Sequence, residues 1–428
     1  MNKNKFTIVK LTLVFLIILS SQFAIAQLEI GADIRPRFEY RHGFNNLFPD
    51  NAEPGAFVVQ RSRLNVKYSI DKLDVMMSMQ DVSTWGDTRQ IDATDSNNSF
   101  SLFQAWVEYH VNENWSTKLG RQVLSYDDQR ILGGLDWAMQ GRFHDAALIK
   151  YKKDSFIADF GFAFSQESQS SVGNVFTIQG AFTYKAMQFA YLKKNWENSS
   201  ASFLFLNTGF QNFTGVDNTI ADGVYYRQTA GSYFTFPVNK LKFKGSAYYQ
   251  FGKSNESTDL NAYQVSLEAN YKPAKTLFAL GFEMLSGTDQ DGDTKNKSFF
   301  PLYGTNHKFN GFMDYFYVGN HANNVGLNDL YAKVVFNAGK NATLLTKAHY
   351  FSANADLSNN ADNYFGTELD IVYNRNLMKD VTLSVGYSQL FASDSMSLIK
   401  SGLPNDNTNN WGWVQLKIQP TLFKSTNK

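Results

Sequence analysis

LEIGADIRPRFEYR, residues 28–41, sorts its side chains into two sets. Leu28, Ile30, Ala32, Ile34, Pro36, Phe38 and Tyr40 take one face; Glu29, Gly31, Asp33, Arg35, Arg37, Glu39 and Arg41 take the other. Strict alternation is the period of a β-strand, whose successive side chains point to opposite sides. Fourteen residues with six charges on one face exceed the strands of soluble sandwiches, which mostly run to about 5–6 residues. A strand that is apolar on one side and charged on the other suits a barrel wall with lipid outside and water inside. Pro36 has no N–H to give to the ladder, which predicts a bulge or a strand end there.

The same alternation recurs along the chain. Arg61, Arg63, Asn65 and Lys67 oppose Ser62, Leu64, Val66, Tyr68 and Ile70. Phe103, Ala105, Val107 and Tyr109 oppose Gln104, Trp106, Glu108 and His110, and Phe156, Ala158, Phe160, Phe162 and Phe164 share a face. Leu369, Ile371 and Tyr373 oppose Glu368 and Asp370. Short connections fall near residues 71, 113, 153, 197, 238, 273, 339 and 377; long ones near 42–55, 82–100, 125–141, 166–185, 211–222, 252–259, 287–326, 353–362 and 392–410. Eight turns and nine loops join 18 strands, an even count with both chain ends on the turn side, as a bacterial outer-membrane barrel requires. The fold class expected is therefore all-β: a transmembrane antiparallel up-and-down β-barrel of about 18 strands. Between 173 and 210 the fourth turn has two placements, near 197 or near Lys185, because Phe176 to Thr183 also alternates. Trp411, Trp413 and Phe423 fit the aromatic girdles at the membrane interface.

Composition agrees. The chain opens MNKNKFTIVKLTLVFLIILSSQFAIAQ, with Lys3, Lys5 and Lys10 before an apolar run and Ala24-Ile25-Ala26 after it. That is the form of a secretory signal peptide over 1–26, leaving 27–428 as the barrel. Beyond it no run of 18 apolar residues occurs, so helical membrane spans are excluded. Aromatics reach 15%, which suits lipid-facing strands. There is no cysteine, so neither disulfides nor thiol chemistry is open to the chain. The net charge of +1 leaves any preference for charged partners to local arrangement.

Local arrangement is richest in KLGRQVLSYDDQRILGGLDWAMQGRFHD, residues 118–145. It reads as a strand end, a long glycine-punctuated connection and the next strand's start. Gly133, Gly134 and Gly141 allow the connection to fold inward, with Trp137 as an anchor against the wall. Arg121, Arg130 and Arg142 would then join Arg35, Arg37, Arg61 and Arg63 in one constriction, with Asp127 and Asp145 among them. Fixed cations in a narrow channel concentrate anions, and guanidinium groups bind carboxylates in a bidentate manner. The alternative is that these arginines pair with acids such as Asp127, Asp128 and Asp145 and hold the structure together.

Leu119-Gly120-Arg121-Gln122, Tyr126-Asp127, Arg130, Asp136-Trp137, Gly141-Arg142 and Asp145 resemble the motif of the alginate-export family of outer-membrane barrels. Ser286 to Gly319 also resembles Bacteroidota-type members of that group. The resemblance implies an 18-stranded pore, and its best-studied members imply an arginine-rich lumen that passes an acidic polysaccharide.

The function expected is an outer-membrane porin for passive diffusion of anionic or oligosaccharide-like solutes, alginate-type polysaccharide among them. The second reading is a barrel-anchored surface binding protein or adhesin. Expected partners are outer-membrane lipid and lipopolysaccharide, the barrel-assembly machinery and an anionic or carbohydrate solute, with no nucleic acid. No cofactor, metal or catalytic residue is expected. Asp289, Asp291, Gly292 and Asp293 resemble a calcium loop, but its glycine stands at the fourth position rather than the sixth. The six histidines lack metal-ligand spacing. An enzyme built on the barrel would need a His–Ser pair on the outer wall, for which His349 and Ser352 are the candidates.

Overall fold

The computed structural model describes residues 26–88, 99–173, 183–217, 220–292, 294–316 and 325–425. Its strands are β1 (Gln27–His42), β2 (Gly55–Ile70), β3 (Leu73–Thr84), β4 (Ser101–His110), β5 (Trp115–Gln122), β6 (His144–Lys153), β7 (Phe156–Phe164), β8 (Ala186–Asn195), β9 (Ser200–Thr214), β10 (Ile220–Val238), β11 (Leu241–Lys253), β12 (Asp259–Tyr271), β13 (Leu277–Leu285), β14 (Leu327–Asn337), β15 (Ala342–Ser352), β16 (Tyr364–Met378), β17 (Val381–Ala392), β18 (Asn409–Ile418) and β19 (Thr421–Lys424). Each strand from β1 to β17 pairs antiparallel with the next, and β1 closes the ring by pairing with β2 on one side and with β18 and β19 on the other. β18 and β19 are one stave interrupted at Gln419-Pro420, so the closed barrel has 18. Closure leaves no unpaired edge, which a wall in lipid needs because no water is there to satisfy a free N–H or C=O.

The alternation sets the two faces. In β1, Asp33, Arg35, Arg37 and Glu39 are buried inside, while Ile34, Phe38 and Tyr40 stand exposed outside. The same holds for Gln264 against Tyr263 and Val265, and for Glu368 and Asp370 against Leu369 and Ile371. The fourth short turn lies between Asn195 and Ser200, the placement near 197; most of Phe176 to Thr183 lies outside the described residues. So does residue range 1–25, on which the expected signal peptide falls.

Three local expectations are corrected. Pro36 makes neither a bulge nor a strand end. Its pairing with β2 is continuous, and on the other side the ladder with β18 skips Arg35 and Pro36 with the register unchanged. One missing donor opens a ladder without bending it. Trp411 and Trp413 do not join an outer girdle: they are buried in the lumen, opposite Arg41 and Glu39, while Val414 takes the outer face. Phe103 also turns inward, because a bulge between Ser78 and Met79 of β3 inserts it as the extra residue of β4; such an insertion breaks the alternation locally.

The hydrophobic core lies inside the barrel. Leu124, Ile131 and Leu132 from residues 123–143 pack with Met187, Phe189, Leu204 and Leu206 of the wall and with Leu302 and Tyr303 from residues 286–326. A short helix, α1 (Asp394–Ile399), adds Met396 and Ile399.

Candidate functional site

The connection 123–143 folds into the lumen, and the wall supplies the donors its backbone requires. Arg35 donates through Nη1 to the carbonyl of Asp136 at 3.0 Å, Arg37 to that of Trp137 at 3.0 Å, Arg61 to that of Met139 at 3.3 Å, and Gln80 to that of Gln140 at 3.0 Å. A chain segment carried into an interior must satisfy each carbonyl; here the inward side chains of β1, β2 and β3 do so. Asp136 adds charge to the clasp, 3.1 Å from Arg35 and 3.0 Å from Arg61. Burial works to raise its carboxyl pKa, yet the two guanidinium groups keep it below the usual range. The Trp137 ring has the Arg37 guanidinium 3.9 Å above it, stacks on His307 at 4.4 Å, and meets Trp411 and Trp413 edge-on.

A second inward loop, within 286–326, is joined to the first. Gly133 N–H donates to Tyr303 at 2.9 Å, Tyr303 N–H to Ile131 at 3.0 Å and Thr305 N–H to Gln129 at 2.9 Å. The approach is close enough that a Cβ on Gly133 would stand 2.4 Å from Thr305 Oγ1. Arg142 donates to the carbonyl of Gly304 at 2.8 Å. Arg130 anchors the pair to the opposite wall: Nε lies 2.8 Å from Glu283 of β13, and Nη2 donates to Asn310 at 2.9 Å. The two loops thus form one body spanning the lumen from β1 and β2 to β13.

Arg35, Arg37, Arg61 and Arg130 therefore lie in the lumen, but buried and clasped to acids rather than facing water. Their side-chain ion-pair partners are Asp33, Glu39, Asp136 and Glu283 rather than Asp127, Asp128 and Asp145; Asp128 accepts the backbone N–H of Arg130 at 3.1 Å. Asp127 is buried beside Lys193 at 3.3 Å and accepts from Tyr191. Arg63 donates to Gln80 and lies 3.6 Å over the Phe103 ring, with no carboxylate partner among the described residues. The pore-lining placement of Arg121 and Asp145 is corrected: they face each other across β5 and β6 on the outer wall, 2.9 Å apart, in phase with outward Leu119 and Ile149. His349 and Ser352 have opposite phase on β15; His349 faces inward, bound to Asp329 at 2.7 Å, so no outer His–Ser pair forms. Asp289 accepts from the backbone N–H of Asp356, and Asp293 of the calcium-like run lies outside the described residues.

Sequence reading missed Glu283 and Asp329. Strand phase was the available signal, since both alternate with outward residues such as Phe282 and Leu330. Nothing local marked Asn306, His307 and Asn310 as lumen residues.

Open space remains on both sides of the joined loops. A cavity of about 360 Å³ toward the long-loop end is lined by Arg37, Arg41, Trp137, His307 and Asp314. Toward the short-turn end lie one of about 410 Å³, lined by Lys244, Lys308, Lys333 and Lys347 with Tyr233, Phe309, Phe312 and Tyr331, and one of about 600 Å³, lined by Tyr126, Lys150, Tyr151 and Lys193. Asp127 borders both. In the smaller of these, burial pushes the Asp128 carboxyl up to about 6 against the pull of Lys308, and burial likewise lowers the Lys308 ammonium.

No curated protein sequence matches this chain. Its fold is similar to solved structures of Pseudomonas aeruginosa OccK3 (OpdO), at 12% identity and a TM-score of 0.60, covering 92% of this chain and 96% of that one. It is similar also to P. aeruginosa OccK9 (OpdG), at 11% identity and a TM-score of 0.62 over 92% and 98% of the two chains. A BenF-like porin from Pseudomonas fluorescens Pf-5 has 13% identity and a TM-score of 0.60 over 92% and 99%. Identities this low establish the architecture alone. The alginate export family matches residues 26–397, nearly the whole of the barrel, and the chain therefore belongs to that family of outer-membrane β-barrels.

Proposed function

We propose that the barrel is a passive channel for anionic or oligosaccharide-like solutes, with alginate-type acidic polysaccharide in that class. The observation that carries this reading is the cavity of about 410 Å³. Its carboxylates are largely engaged: Glu268 with Lys244 and Lys333, Glu283 with Arg130, Asp329 with His349, and Asp127 with Lys193. Lys308 donates to a backbone carbonyl and Lys347 lies 4.2 Å over the Tyr331 ring, and among the described residues neither has a carboxylate within ion-pair distance. Two cations beside aromatic rings suit a carboxylated sugar, with charge for the acid and ring faces for the sugar. Arg63, half-buried and without an acid, supports the same preference nearer the constriction. The family assignment points to transport rather than catalysis. The inward fold of the described part of 286–326 offers the adhesin reading nothing.

Reversal potentials in planar bilayers under a salt gradient test the reading. Screening shortens to about 10 Å at 0.1 M salt, so anion preference should be strong in dilute salt and fade in concentrated salt. Arg63→Gln should lower the anion-to-cation permeability ratio with the barrel still folded. Cation preference in the wild-type protein at low salt would refute the proposal.

A further inference from the structure

The second loop rests on an unusual seat. Glu368 and Asp370 are neighbours on the inner face of β16, and both are wholly buried. Glu368 Oε1 accepts from the backbone N–H of Met313 at 2.9 Å. Gly311 lies flat against it in the left-handed region (φ 86°), where an added Cβ would be 2.6 Å from Oε2. The loop backbone is thus moulded onto this carboxyl group, and only glycine fits at the contact.

Asp370 accepts from Ser388 with one oxygen. Its other oxygen, Glu368 Oε2 and His349 Nε2 are all buried with no hydrogen-bond partner. They are close together: Glu368 and Asp370 lie within hydrogen-bond reach of each other, and His349 Nε2 is 3.6 Å from Asp370. Two buried carboxylates cannot both be charged at that separation, and one proton between them satisfies both orphaned oxygens. Asp329 of β14 accepts from His349 Nδ1 and from Asn310. Lys347 is opposite Asp370 in register, Tyr315 of the loop faces Glu368, and the Arg130–Glu283 pair stands one residue away through Asn310.

We propose that Glu368, Asp370 and His349 form a proton-linked latch that holds the Asn310–Met313 segment across the lumen, seated in acid and released as pH rises. The seated form keeps a proton between two carboxyl groups. In the released form water separates them and the shared proton is given up. The seated state therefore binds more protons, so acid favours seating and rising pH favours release. Because Phe309, Asn310 and Phe312 border the cavity of about 410 Å³ while His307 stacks on Trp137 toward the long-loop end, release would connect the two. The latch does not depend on which solute passes.

Since the chain has no cysteine, a nitroxide on Lys308→Cys reports this loop alone, with no need for conduction. In the full mature barrel, electron paramagnetic resonance should show an immobile label near pH 5 and a mobile component at pH 8. For one proton the mobile-to-immobile ratio rises by up to about tenfold per pH unit. Glu368→Gln keeps the acceptor for Met313 and supplies an N–H to Asp370, so the label should stay immobile throughout. Asp370→Asn should act likewise, and serves if the first variant does not fold. A pH-independent line shape in the unsubstituted background overturns the proposal. So does a pH response that persists undiminished in both variants.

Discussion

Arginines that look alike in the sequence have different surroundings, and the surroundings set their roles. Arg61 and Arg130 are almost wholly buried, each against a carboxylate and the carbonyl or amide groups of an inward loop. Removing one partner of such a pair leaves a buried charge uncompensated, at a cost of about 3–5 kcal/mol. Arg61→Gln or Arg130→Gln should therefore lower the melting temperature and expose residues 123–143 to protease. The outward Arg121–Asp145 pair is partly exposed, and pairs of that kind are worth about 0.2–1 kcal/mol. Arg121→Gln should leave melting within experimental scatter of the wild-type value. Equal losses in Arg61→Gln and Arg121→Gln would contradict the assignment of inner and outer faces.

At the scale of a strand, the alternation is a statement about solvents. Phe160, Phe162 and Phe164 of β7 are exposed on the wall, while Asp159 is buried beneath the inward loop and accepts from Tyr126 at 2.9 Å. Phe160→Arg would place a cation in lipid, at about 2–4 kcal/mol near the midplane. Asp159→Asn keeps the acceptor for Tyr126 and should cost much less. Denaturant unfolding from lipid vesicles measures both, and comparable losses would mean that the faces of β7 are exchanged. The pattern fails at Phe103, where a bulge breaks the period of 2, and at Trp411 and Trp413, whose type suggests the membrane interface but whose phase sends them inside. Phase is fixed by every residue of a strand together, so it overrides the preference of one.

For the whole molecule, Lys72, Lys153 and Lys240 lie at the short-turn end and the described residues of 286–316 at or below the long-loop rim. Short turns of outer-membrane barrels face the periplasm. Single cysteines at these three lysines should therefore resist a membrane-impermeant maleimide on whole cells, whereas Glu53→Cys, exposed in the first long loop, should react. Labelling at 72 or 153 from outside would invert the topology. The strand count, the faces of most strands and most turn and loop positions were legible in the sequence, because the period of 2 is local; the placements of Phe103, Trp411, Trp413, Arg121 and Asp145 were not. The inward course of 123–143 was legible as a possibility, through its glycines and charges. What the arginines hold was not: Arg35 meets Asp136 across 101 residues and Arg130 meets Asn310 across 180. Such partners are chosen when the ring closes and sets opposite staves at fixed distances around a small interior. Whether a charge there faces water, a loop carbonyl or another carboxyl, as at Glu368 and Asp370, depends on how two loops fill that space together, which no stretch of either loop contains alone.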